Sequence, residues 1–357
     1  MELYYDNIIF NLQKAGGISV YWYELIIRAI NTSMHISFIE HKLSENIFRK
    51  ALILNEKSIV RDEKLPIKLV RYLPLTTSLP KGAIFHSSYY RVCRQKGIKN
   101  VVTVHDFTYE YYIKGLKRYV HSLQKRYAIR HADAVICVSE NTKKDLLRFY
   151  KDIDSNKVSV VYNGVSNEFK PLTNARPQLQ EADRSYVLFV GGRSSYKQFD
   201  LVVDALGQYK KQCLVIVGGG ALTKKEKAKL EDNLMGRYEH LEGINNKELN
   251  ALYNKAFCLV YPSIYEGFGI PVIEAMQAGC PVIATRASSI PEVTGEAAVL
   301  MEEATKSSLI ESLAILEKDE QREAYRLAGY KQAQKFSWDK AFEETLFVYK
   351  TLLNEER

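Results

Sequence analysis

Short apolar runs alternate along the first half of the chain with longer stretches in which apolar residues recur at helical spacing. Two of these stretches, residues 20–30 and 139–150, predict amphipathic helices, and Ser139 is the expected N-cap of the second. The apolar runs predict buried strands at residues 3–5, 35–40, 68–70, 84–86, 101–104, 134–138 and 158–161. Strands and helices that alternate in this way predict a parallel sheet with helices on both faces.

The same pattern restarts after a polar segment at residues 166–184, which contains two prolines, follows no sustained period and is interpreted as an interdomain linker. Apolar runs at 186–190, 214–217, 258–262 and 281–285 predict a second sheet, and residues 337–353 predict one amphipathic helix. A length of 357 residues suits two domains. We expect Rossmann-like domains at 1–165 and 166–337, with a helix at about 338–357 bracing the first domain or crossing back to it.

The composition is that of an ordinary globular protein, with 46% hydrophobic and 26% charged residues, which excludes disordered and fibrous classes. No apolar run approaches the roughly 18–20 residues that a spanning helix needs, and no secretory leader pattern is visible, so we expect a cytoplasmic protein. The five cysteines are scattered without close pairs and lie mostly in apolar runs. They predict reduced core residues rather than disulfides or metal ligands.

The net charge of +8 is unevenly distributed along the chain. Residues 1–165 carry 26 Lys and Arg against 15 Asp and Glu, whereas residues 166–357 carry 24 against 27. A basic first half predicts either a merely soluble surface or contact with an anionic partner, such as membrane lipid, a pyrophosphate-linked lipid or nucleic acid. Tyrosines interleaved with Lys and Arg at residues 109–130 could form a face of this kind, although a solvated helix face is the simpler interpretation.

The most specific motif runs from Glu266 to Glu274 as Glu-Gly-Phe-Gly-Ile-Pro-Val-Ile-Glu, between a predicted strand and a predicted helix. Pro271 suits the first turn of that helix, so Gly267 and Gly269 form the loop that leads into its N-terminus. Such a terminus presents unpaired N–H groups and a partial positive charge to an anion such as a phosphate. The two glutamates could then accept hydrogen bonds from sugar and ribose hydroxyls.

A second candidate loop, Gly-Gly-Arg-Ser-Ser-Tyr-Lys from Gly191 to Lys197, directly follows the predicted strand 186–190. Ligands of doubly wound sheets bind at the carboxyl ends of strands. Arg193 and Lys197 could neutralise the charge of a nucleoside diphosphate without a metal ion. A pair of carboxylates also serves glycoside hydrolysis, but that interpretation explains neither the glycine loop nor these cations.

In the first half, Gly16 and Gly17 precede a predicted helix and could face a phosphate or a sugar. His105 follows the strand at 101–104, where it could hydrogen-bond a sugar or carry a proton. His86 ends another strand, and a structural role is as well supported as a place in the site. The histidines show no metal-ligand spacing, so we expect neither a metal nor any other cofactor.

Taken together, these motifs resemble the retaining glycosyltransferases of sequence family 4, which have the GT-B fold of two Rossmann-like domains facing across a cleft. The likeness spans nearly the whole chain and is strongest in EGFGIPVIEAM, in AGCPVIAT and in the segment from Ser288 to Val293. The motifs GGR…YK, VVYNGV and AGGISVYWYEL support it. Val20 stands where the family often has an arginine, so any contact made by that arginine is not expected here.

The resemblance implies roles for individual residues. In the C-terminal half, it implies that the loop of Gly192, Arg193 and Lys197 binds the diphosphate of a nucleotide sugar. It also implies that Glu274 holds the ribose, and that Glu266, with Gly267 and the Phe268–Gly269 backbone, addresses the sugar and the phosphate. In the N-terminal half, Gly16 and Gly17 would close over the phosphates, and His105 would contact the sugar near its reacting carbon.

The sequence therefore predicts a metal-independent retaining hexosyltransferase. Its donor would be a UDP- or GDP-sugar and its acceptor a glycan or a lipid-pyrophosphate-linked saccharide, as in surface polysaccharide or lipopolysaccharide O-antigen assembly. We expect no nucleic-acid ligand, and we expect contact with the inner face of the cytoplasmic membrane through the basic N-terminal domain. A nucleotide-sugar epimerase of the same fold and a noncatalytic glycan-binding protein remain alternatives.

Overall fold

The computed structural model describes residues 1–42, 44–62, 65–172 and 185–354. Contacts divide the chain into two compact units. The first comprises Met1–Asn163 together with the C-terminal helix, and the second comprises Gly164–Ser337. Among the residues described, no helix is both long and apolar enough to span a bilayer.

The first unit is built on a seven-stranded parallel sheet. Its strands are β1 (Glu2–Asp6), β2 (His35–Glu40), β3 (Ile59–Arg61), β4 (Ile84–Ser87), β5 (Lys99–Val104), β6 (Ala134–Cys137) and β7 (Val158–Val160). The spatial order is β3-β2-β1-β4-β5-β6-β7 and every pairing is parallel. The direction of winding reverses between β1 and β4, which is the position where doubly wound sheets leave a crevice for ligands.

Helices lie between these strands in the chain, and each of them except α3 has buried residues. They are α1 (Ile9–Leu12), α2 (Gly17–Ala29), α3 (Ile47–Ala51), α4 (Ile67–Val70), α5 (Thr108–Tyr112), α6 (Leu116–His131) and α7 (Glu140–Phe149). The predicted helices 20–30 and 139–150 correspond to α2 and α7. Ser139 caps α7 as predicted, because its side chain accepts a hydrogen bond from the Thr142 N–H.

The second unit repeats the architecture with six parallel strands. They are β8 (Tyr186–Val190), β9 (Cys213–Val217), β10 (Tyr238–Leu241), β11 (Cys258–Tyr261), β12 (Val282–Thr285) and β13 (Val299–Met301), in the order β10-β9-β8-β11-β12-β13. The helices are α8 (Phe199–Gln208), α9 (Lys224–Leu234), α10 (Asn246–Lys255), α11 (Ile270–Gln277), α12 (Ile290–Thr294), α13 (Lys306–Glu317) and α14 (Asp319–Ala333). A core of buried aliphatic and aromatic side chains lies between the sheet and helices α8, α9 and α13.

The last helix, α15 (Trp338–Asn354), belongs to the first unit. Trp338, Phe342 and Tyr349 are buried, and the helix packs against α2 and β6. The Tyr349 hydroxyl lies 2.5 Å from His86 Nδ1 within β4, so the C-terminal helix is bonded into the core of the unit that begins the chain.

One predicted strand was wrong, and three strands of the structure were not predicted. Residues 68–70 lie in helix α4, which begins after Pro66. The strand that pairs with β2 at this edge of the sheet is β3, which was not predicted. A three-residue apolar run does not distinguish one helical turn from a short strand. Strands β10 and β13 were not predicted either, since β10 contains Glu and His and β13 is only three residues long.

The predicted linker at 166–184 falls partly outside the described residues, at 173–184. Its first part packs on the second unit. The Lys170 N–H donates to Asn250 Oδ1 at 3.0 Å, and the Leu172 N–H donates to Asn254 Oδ1 at 2.8 Å. Phe169 is buried with its ring 5.9 Å from that of Tyr253. The described residues of this segment are therefore part of the second unit.

Candidate active site

The loop that follows β8 begins with a backbone turn that favours glycine. Gly191 has a φ of 120°, and its N–H donates to the Val217 carbonyl at the end of β9, at 2.9 Å. The chain then forms a short 3₁₀ turn at Ser195–Lys197. The turn places Lys197 at the carboxyl end of the sheet, beside strand β11.

The glycine-rich turn before α11 is equally constrained. Gly269 is the N-cap residue with a φ of 100°, and a β-carbon there would lie 2.9 Å from Ile290 Cδ1. The Ser289 hydroxyl donates to the carbonyls of Glu266 and Phe268, each at 3.0 Å. These bonds fix the loop so that it leads directly into the first turn of α11, whose amide dipoles favour an anion at this end.

Lys197 and Glu266, predicted from separate motifs, are brought together. The Lys197 ammonium contacts a Glu266 carboxylate oxygen and donates to the Tyr261 hydroxyl at 3.1 Å. Burial acts to lower the pKa of Lys197, but Tyr261 and Glu266 outweigh it and hold that pKa above its ordinary value. The Glu266 N–H in turn donates to Ser288 Oγ at 2.8 Å. A cation, a carboxylate and the start of a helix therefore share one location.

Glu274 lies one turn further along α11. Its carboxylate accepts a hydrogen bond from the Tyr253 hydroxyl at 3.2 Å. Burial raises the pKa of Glu274 to about 7, and the bond from Tyr253 only partly opposes that effect. A carboxyl with this pKa changes its charge near neutral pH, which is a frequent property of functional sites.

Arg193 is placed differently from the prediction that it grips a ligand beside Lys197. Its Nε donates to Glu226 Oε1 at 2.8 Å, and its terminal nitrogens donate to the carbonyls of Gly218, Gly220 and Ala221 at 2.8, 2.8 and 3.0 Å. The side chain is only 4% exposed. In this arrangement the guanidinium organises the loop after β9 rather than pointing open donors at a ligand.

Sequence reasoning missed the loop that Arg193 binds. Gly218, Gly219 and Gly220 follow β9 and all have φ between 73° and 79°. A β-carbon on Gly219 would lie 2.5 Å from the guanidinium of Arg193. Three glycines directly after a predicted strand were the available signal, since they mark close approach of another group to the backbone.

The candidates of the first unit lie at the starts of helices and the ends of strands. Gly16 is the N-cap residue of α2, and Gly17 is the first residue of that helix. His105 follows β5 with its ring 4.9 Å from that of Tyr21, edge to face. Burial lowers the pKa of His105 to about 4, so the ring is neutral near pH 7. Within the described parts of the chain, its buried Nε2 has no hydrogen-bond partner.

His86 is part of the core of the first unit. Its Nε2 lies 2.9 Å from Thr103 Oγ1, its Nδ1 is bonded to Tyr349, and the side chain is fully buried. Desolvation lowers its pKa to about 3. Both ring nitrogens are thus used inside the core, which decides between the two roles considered for His86 in favour of the structural one.

The basic and aromatic segment 109–130 is only partly a surface. Lys125 is buried, with its ammonium 2.7 Å from Glu110 Oε2 and 4.3 Å from the centre of the Phe107 ring. Tyr109 stacks on His121 at 3.8 Å between ring centres. On the same helix α6, Leu116 and Tyr119 are well exposed. One side of the segment therefore packs inward, and the other carries apolar residues at the surface.

Among the described residues, no three His, Cys, Asp or Glu side chains cluster closely enough to hold a metal ion. The expectation of a metal-independent site rests on Arg193 and Lys197 as the cations that would neutralise a diphosphate, and it stays a prediction. The five cysteines are unpaired thiols, four of them buried and Cys213 half-buried, as the sequence predicted.

Comparison with known proteins supports the family resemblance. The family model for glycosyl transferases group 1 matches residues 173–334, and that for glycosyltransferase family 4 matches residues 15–169. An uncharacterised glycosyltransferase of Methanocaldococcus jannaschii is 32% identical over 64% of this chain and 62% of its own length. O-antigen chain mannosyltransferase B of Escherichia coli is 27% identical over 76% of this chain and 75% of its own length. The chain thus spans about three fifths of the archaeal relative.

Solved structures show the same fold at low sequence identity. Sucrose-phosphate synthase from Thermosynechococcus elongatus superposes with a TM-score of 0.78 at 20% identity, covering 99% of this chain and 100% of that one. HepE of Anabaena, solved in complex with UDP-glucose, superposes with a TM-score of 0.72 at 17% identity, covering 99% of each chain. The two family models together account for most of the sequence, and the structure has two doubly wound units with the matching motifs around α11. The chain therefore belongs to the group 1 and family 4 glycosyltransferases of GT-B fold.

Proposed function

We propose that this chain is a retaining glycosyltransferase that moves a hexose from a nucleotide diphosphate sugar to a glycan or lipid-linked saccharide. One observation carries the proposal: Lys197 is held beside the constrained glycine turn at the start of α11. A half-buried ammonium and a helix N-terminus at one point form a place for a diphosphate, because both favour negative charge.

In the proposed reaction, the bond between the anomeric carbon and the diphosphate breaks as positive charge grows on the sugar ring. Lys197 and the first turn of α11 stabilise the charge that develops on the departing diphosphate. The acceptor hydroxyl attacks from the face that the diphosphate leaves, and a phosphate oxygen takes its proton. This order of events gives retention, and it requires neither Glu266 nor Glu274 to act as a base.

Other residues hold the donor in this proposal. Glu274 accepts hydrogen bonds from the ribose hydroxyls, and Glu266 with the Gly267–Gly269 backbone addresses the sugar. Arg193 contributes its charge through the glycine loop that it binds, or directly once it exchanges a carbonyl partner for a phosphate oxygen. From the family resemblance, we assign the neutral His105, with its unpartnered Nε2, to a sugar hydroxyl of the donor, and Gly16 and Gly17 to its phosphates.

The identities of donor, acceptor and pathway are proposed from the relatives. Names such as O-antigen chain mannosyltransferase, and the complex of Anabaena HepE with UDP-glucose, favour a UDP- or GDP-hexose donor and a role in surface polysaccharide assembly. The basic first half favours work at the cytoplasmic face of a membrane, where anionic lipids attract Lys and Arg.

A thermal-shift screen of the full chain against UDP-, GDP-, dTDP- and ADP-sugars tests the proposal, with and without EDTA. A true donor at about a hundred times its Kd stabilises the folded state by about 2.7 kcal/mol, a shift of several degrees in Tm. We expect the sugars of one nucleotide to give the largest shift in Tm, and we expect EDTA to leave that shift unchanged. No shift with any sugar nucleotide would contradict the donor site, and a shift abolished by EDTA would contradict metal independence.

The donor that the screen identifies is then incubated with the protein, with and without a saccharide acceptor. Transfer to a saccharide acceptor, with the anomeric configuration read by NMR, supports a retaining transferase. Conversion of the donor alone into an epimer identifies an epimerase instead. Binding without turnover toward a panel of lipid-linked and free saccharides favours a noncatalytic protein.

A further inference from the structure

The first unit contains a pocket that none of the proposed donor contacts uses. Its volume is about 540 Å³, within the range of small-molecule sites, and it lies between helix α6 and the segments that follow α4 and β4. The apolar part of its wall is formed by Leu73, Pro74, Val92, Val120 and Leu123. The cavity can therefore take an apolar chain of several carbons.

Part of this wall faces solvent. Tyr72, Leu73 and Leu123 line the pocket and are 47%, 40% and 49% exposed. Large apolar side chains exposed together around a concavity are a feature of binding sites, because a monomer gains nothing from leaving them in water. An apolar ligand that enters here would cover all three.

The polar part of the wall is positively charged. Arg126 and Arg130 line the pocket, and both bond to Asp152, at 3.1 and 2.5 Å. Two guanidinium groups that share one carboxylate have a net charge of +1 as a group. Arg94, also in the wall, donates to the Tyr127 hydroxyl at 2.9 Å, a neutral partner that leaves its charge uncompensated in that pair.

Two buried polar atoms of the wall point to a ligand group. Within the described residues, neither Arg126 Nε nor Gln124 Oε1 has a hydrogen-bond partner. An unpaired buried donor or acceptor is destabilising, so such atoms in a pocket indicate a group that they bind. Side-chain movements that open these two atoms to the pocket would let an oxygen-rich anion accept from Arg126 and a hydroxyl beside it donate to Gln124.

We propose that this pocket binds an amphiphile with a phosphate headgroup and an alkyl chain. The chain lies against Leu73, Val92 and Leu123, and the phosphate lies beside Arg126 and Arg130. This chemistry has two sources, a phospholipid of the membrane or a lipid-phosphate-linked saccharide. The second source rests on the proposed transfer reaction, whereas the binding itself does not.

Isothermal titration of the full chain with dodecyl phosphate, below its micelle concentration and without nucleotide sugar, measures the site directly. Octyl phosphate is expected to bind at least about tenfold more weakly, since each buried methylene contributes about fourfold. Inorganic phosphate and dodecyl maltoside are the matched probes for headgroup and chain alone. If dodecyl maltoside bound as tightly as dodecyl phosphate, or if chain length had no effect, the proposal would be wrong.

Substitutions locate the site on the protein. Leu123→Glu places a charge in the apolar wall at an exposed position, so folding is retained and dodecyl phosphate is expected to bind about tenfold or more weakly. Leu116→Glu on the same helix is the control, because Leu116 is 75% exposed and does not line the pocket. Equal losses in the two variants would overturn the assignment of the pocket. Arg126→Gln combined with Arg130→Gln should reduce binding about tenfold and narrow the preference for phosphate over maltoside.

Flotation with phosphatidylglycerol vesicles separates the two sources. If the ligand is membrane lipid, dodecyl phosphate displaces the chain from vesicles and Leu123→Glu weakens flotation. If it is a lipid-linked acceptor, flotation is unaffected while dodecyl phosphate inhibits transfer in competition with the acceptor. The titration uses no nucleotide sugar, so its result can be interpreted even if the donor screen fails. If neither titration nor flotation shows binding, the proposal for this pocket is wrong and the proposed transfer reaction is unaffected.

Discussion

The two sheets share one strand order apart from β7, which the second sheet lacks, yet the carboxyl ends of their strands carry different chemistry. In the first unit, buried ion pairs join two of these ends: Arg91 bonds to Asp6, the last residue of β1, at 3.3 Å and to Asp62, which follows β3, at 3.0 Å. In the second unit they are formed by glycine turns, and the chemistry is limited to a few side chains such as Lys197, Glu266 and Glu274.

This difference shows how one architecture can carry two kinds of strand end. In the first unit, ion pairs between buried side chains join the ends of two strands. Burial raises the pKa of Asp6 there, even though Arg91 opposes that effect. Glycine turns instead bring backbone N–H groups close to whatever binds, which suits a phosphate. Fold alone therefore does not locate the site, and the residues at the strand ends do.

The largest expected effect concerns the ion pairs of the first unit. Arg91→Met keeps most of the side-chain volume but leaves Asp6 and Asp62 buried without their cation. We expect the free energy of unfolding to fall by about 3–5 kcal/mol, measured by urea denaturation. Arg94→Met, at an exposed position nearby, is the control and should change it by about 0.5 kcal/mol or less. A loss below about 1 kcal/mol for Arg91→Met would show that the network is dispensable.

In the second unit, removing the cation should affect the reaction more than the fold. Lys197→Ala is expected to lower the rate of transfer by about 10²–10³-fold, because in the proposed reaction this ammonium stabilises the charge that develops on the diphosphate. Lys211→Ala is the control, since Lys211 is an exposed lysine of the same unit paired with Glu317. Transfer by Lys197→Ala at the wild-type rate would refute the phosphate role.

Glu274 predicts a pH dependence of stability. Its pKa is about 7 in the folded chain against an ordinary value of 4.5, so the folded state binds more protons between these values. The contribution of Glu274 to the stability of the second unit should thus be fully present below about pH 4.5, fall as the pH rises to about 7 and then level off, with a total change of up to about 3 kcal/mol.

Glu274→Gln removes this titration, and its unfolding free energy should lose that part of the pH profile. Glu320→Gln, an exposed residue in the first turn of α14, is the matched control and should keep the wild-type profile. Identical profiles for wild type and Glu274→Gln would show that folding does not shift the pKa of Glu274 and that burial does not govern its charge.

Most of both sheets could be predicted because their central strands are continuous apolar runs. The unpredicted strands β3, β10 and β13 lie at or near sheet edges, and two of them have only three residues. An edge strand has one neighbour and needs less apolar surface, so the periodic signal weakens there. The helices were recognised where a cap or a long apolar stripe marked them, as in α7 and α15.

The site was predictable where one motif is contiguous in sequence and not where partners come from elsewhere. The turn before α11 follows from its own glycines and proline. The partners of Arg193, however, lie about 25–33 residues away, and nothing in the Gly-Gly-Arg loop indicates that Glu226 and the Gly218–Ala221 carbonyls bind it. Pairing of distant side chains depends on tertiary packing, which a local pattern does not contain.

The smallest expected effect sharpens the comparison at Arg193 itself. Glu226 is the N3 residue of the capping box of α9, with Thr223, and it also accepts from Arg193. Glu226→Gln keeps a capping side chain while removing the charge that holds the guanidinium, so the loss of stability should stay below about 1 kcal/mol. If Glu226 competes with the donor diphosphate for Arg193, donor affinity rises about threefold in this variant, measured by calorimetry. If the affinity for the donor instead falls, Glu226 positions Arg193 for the ligand. The strand ends of the second unit would then depend on an ion pair, as those of the first unit do.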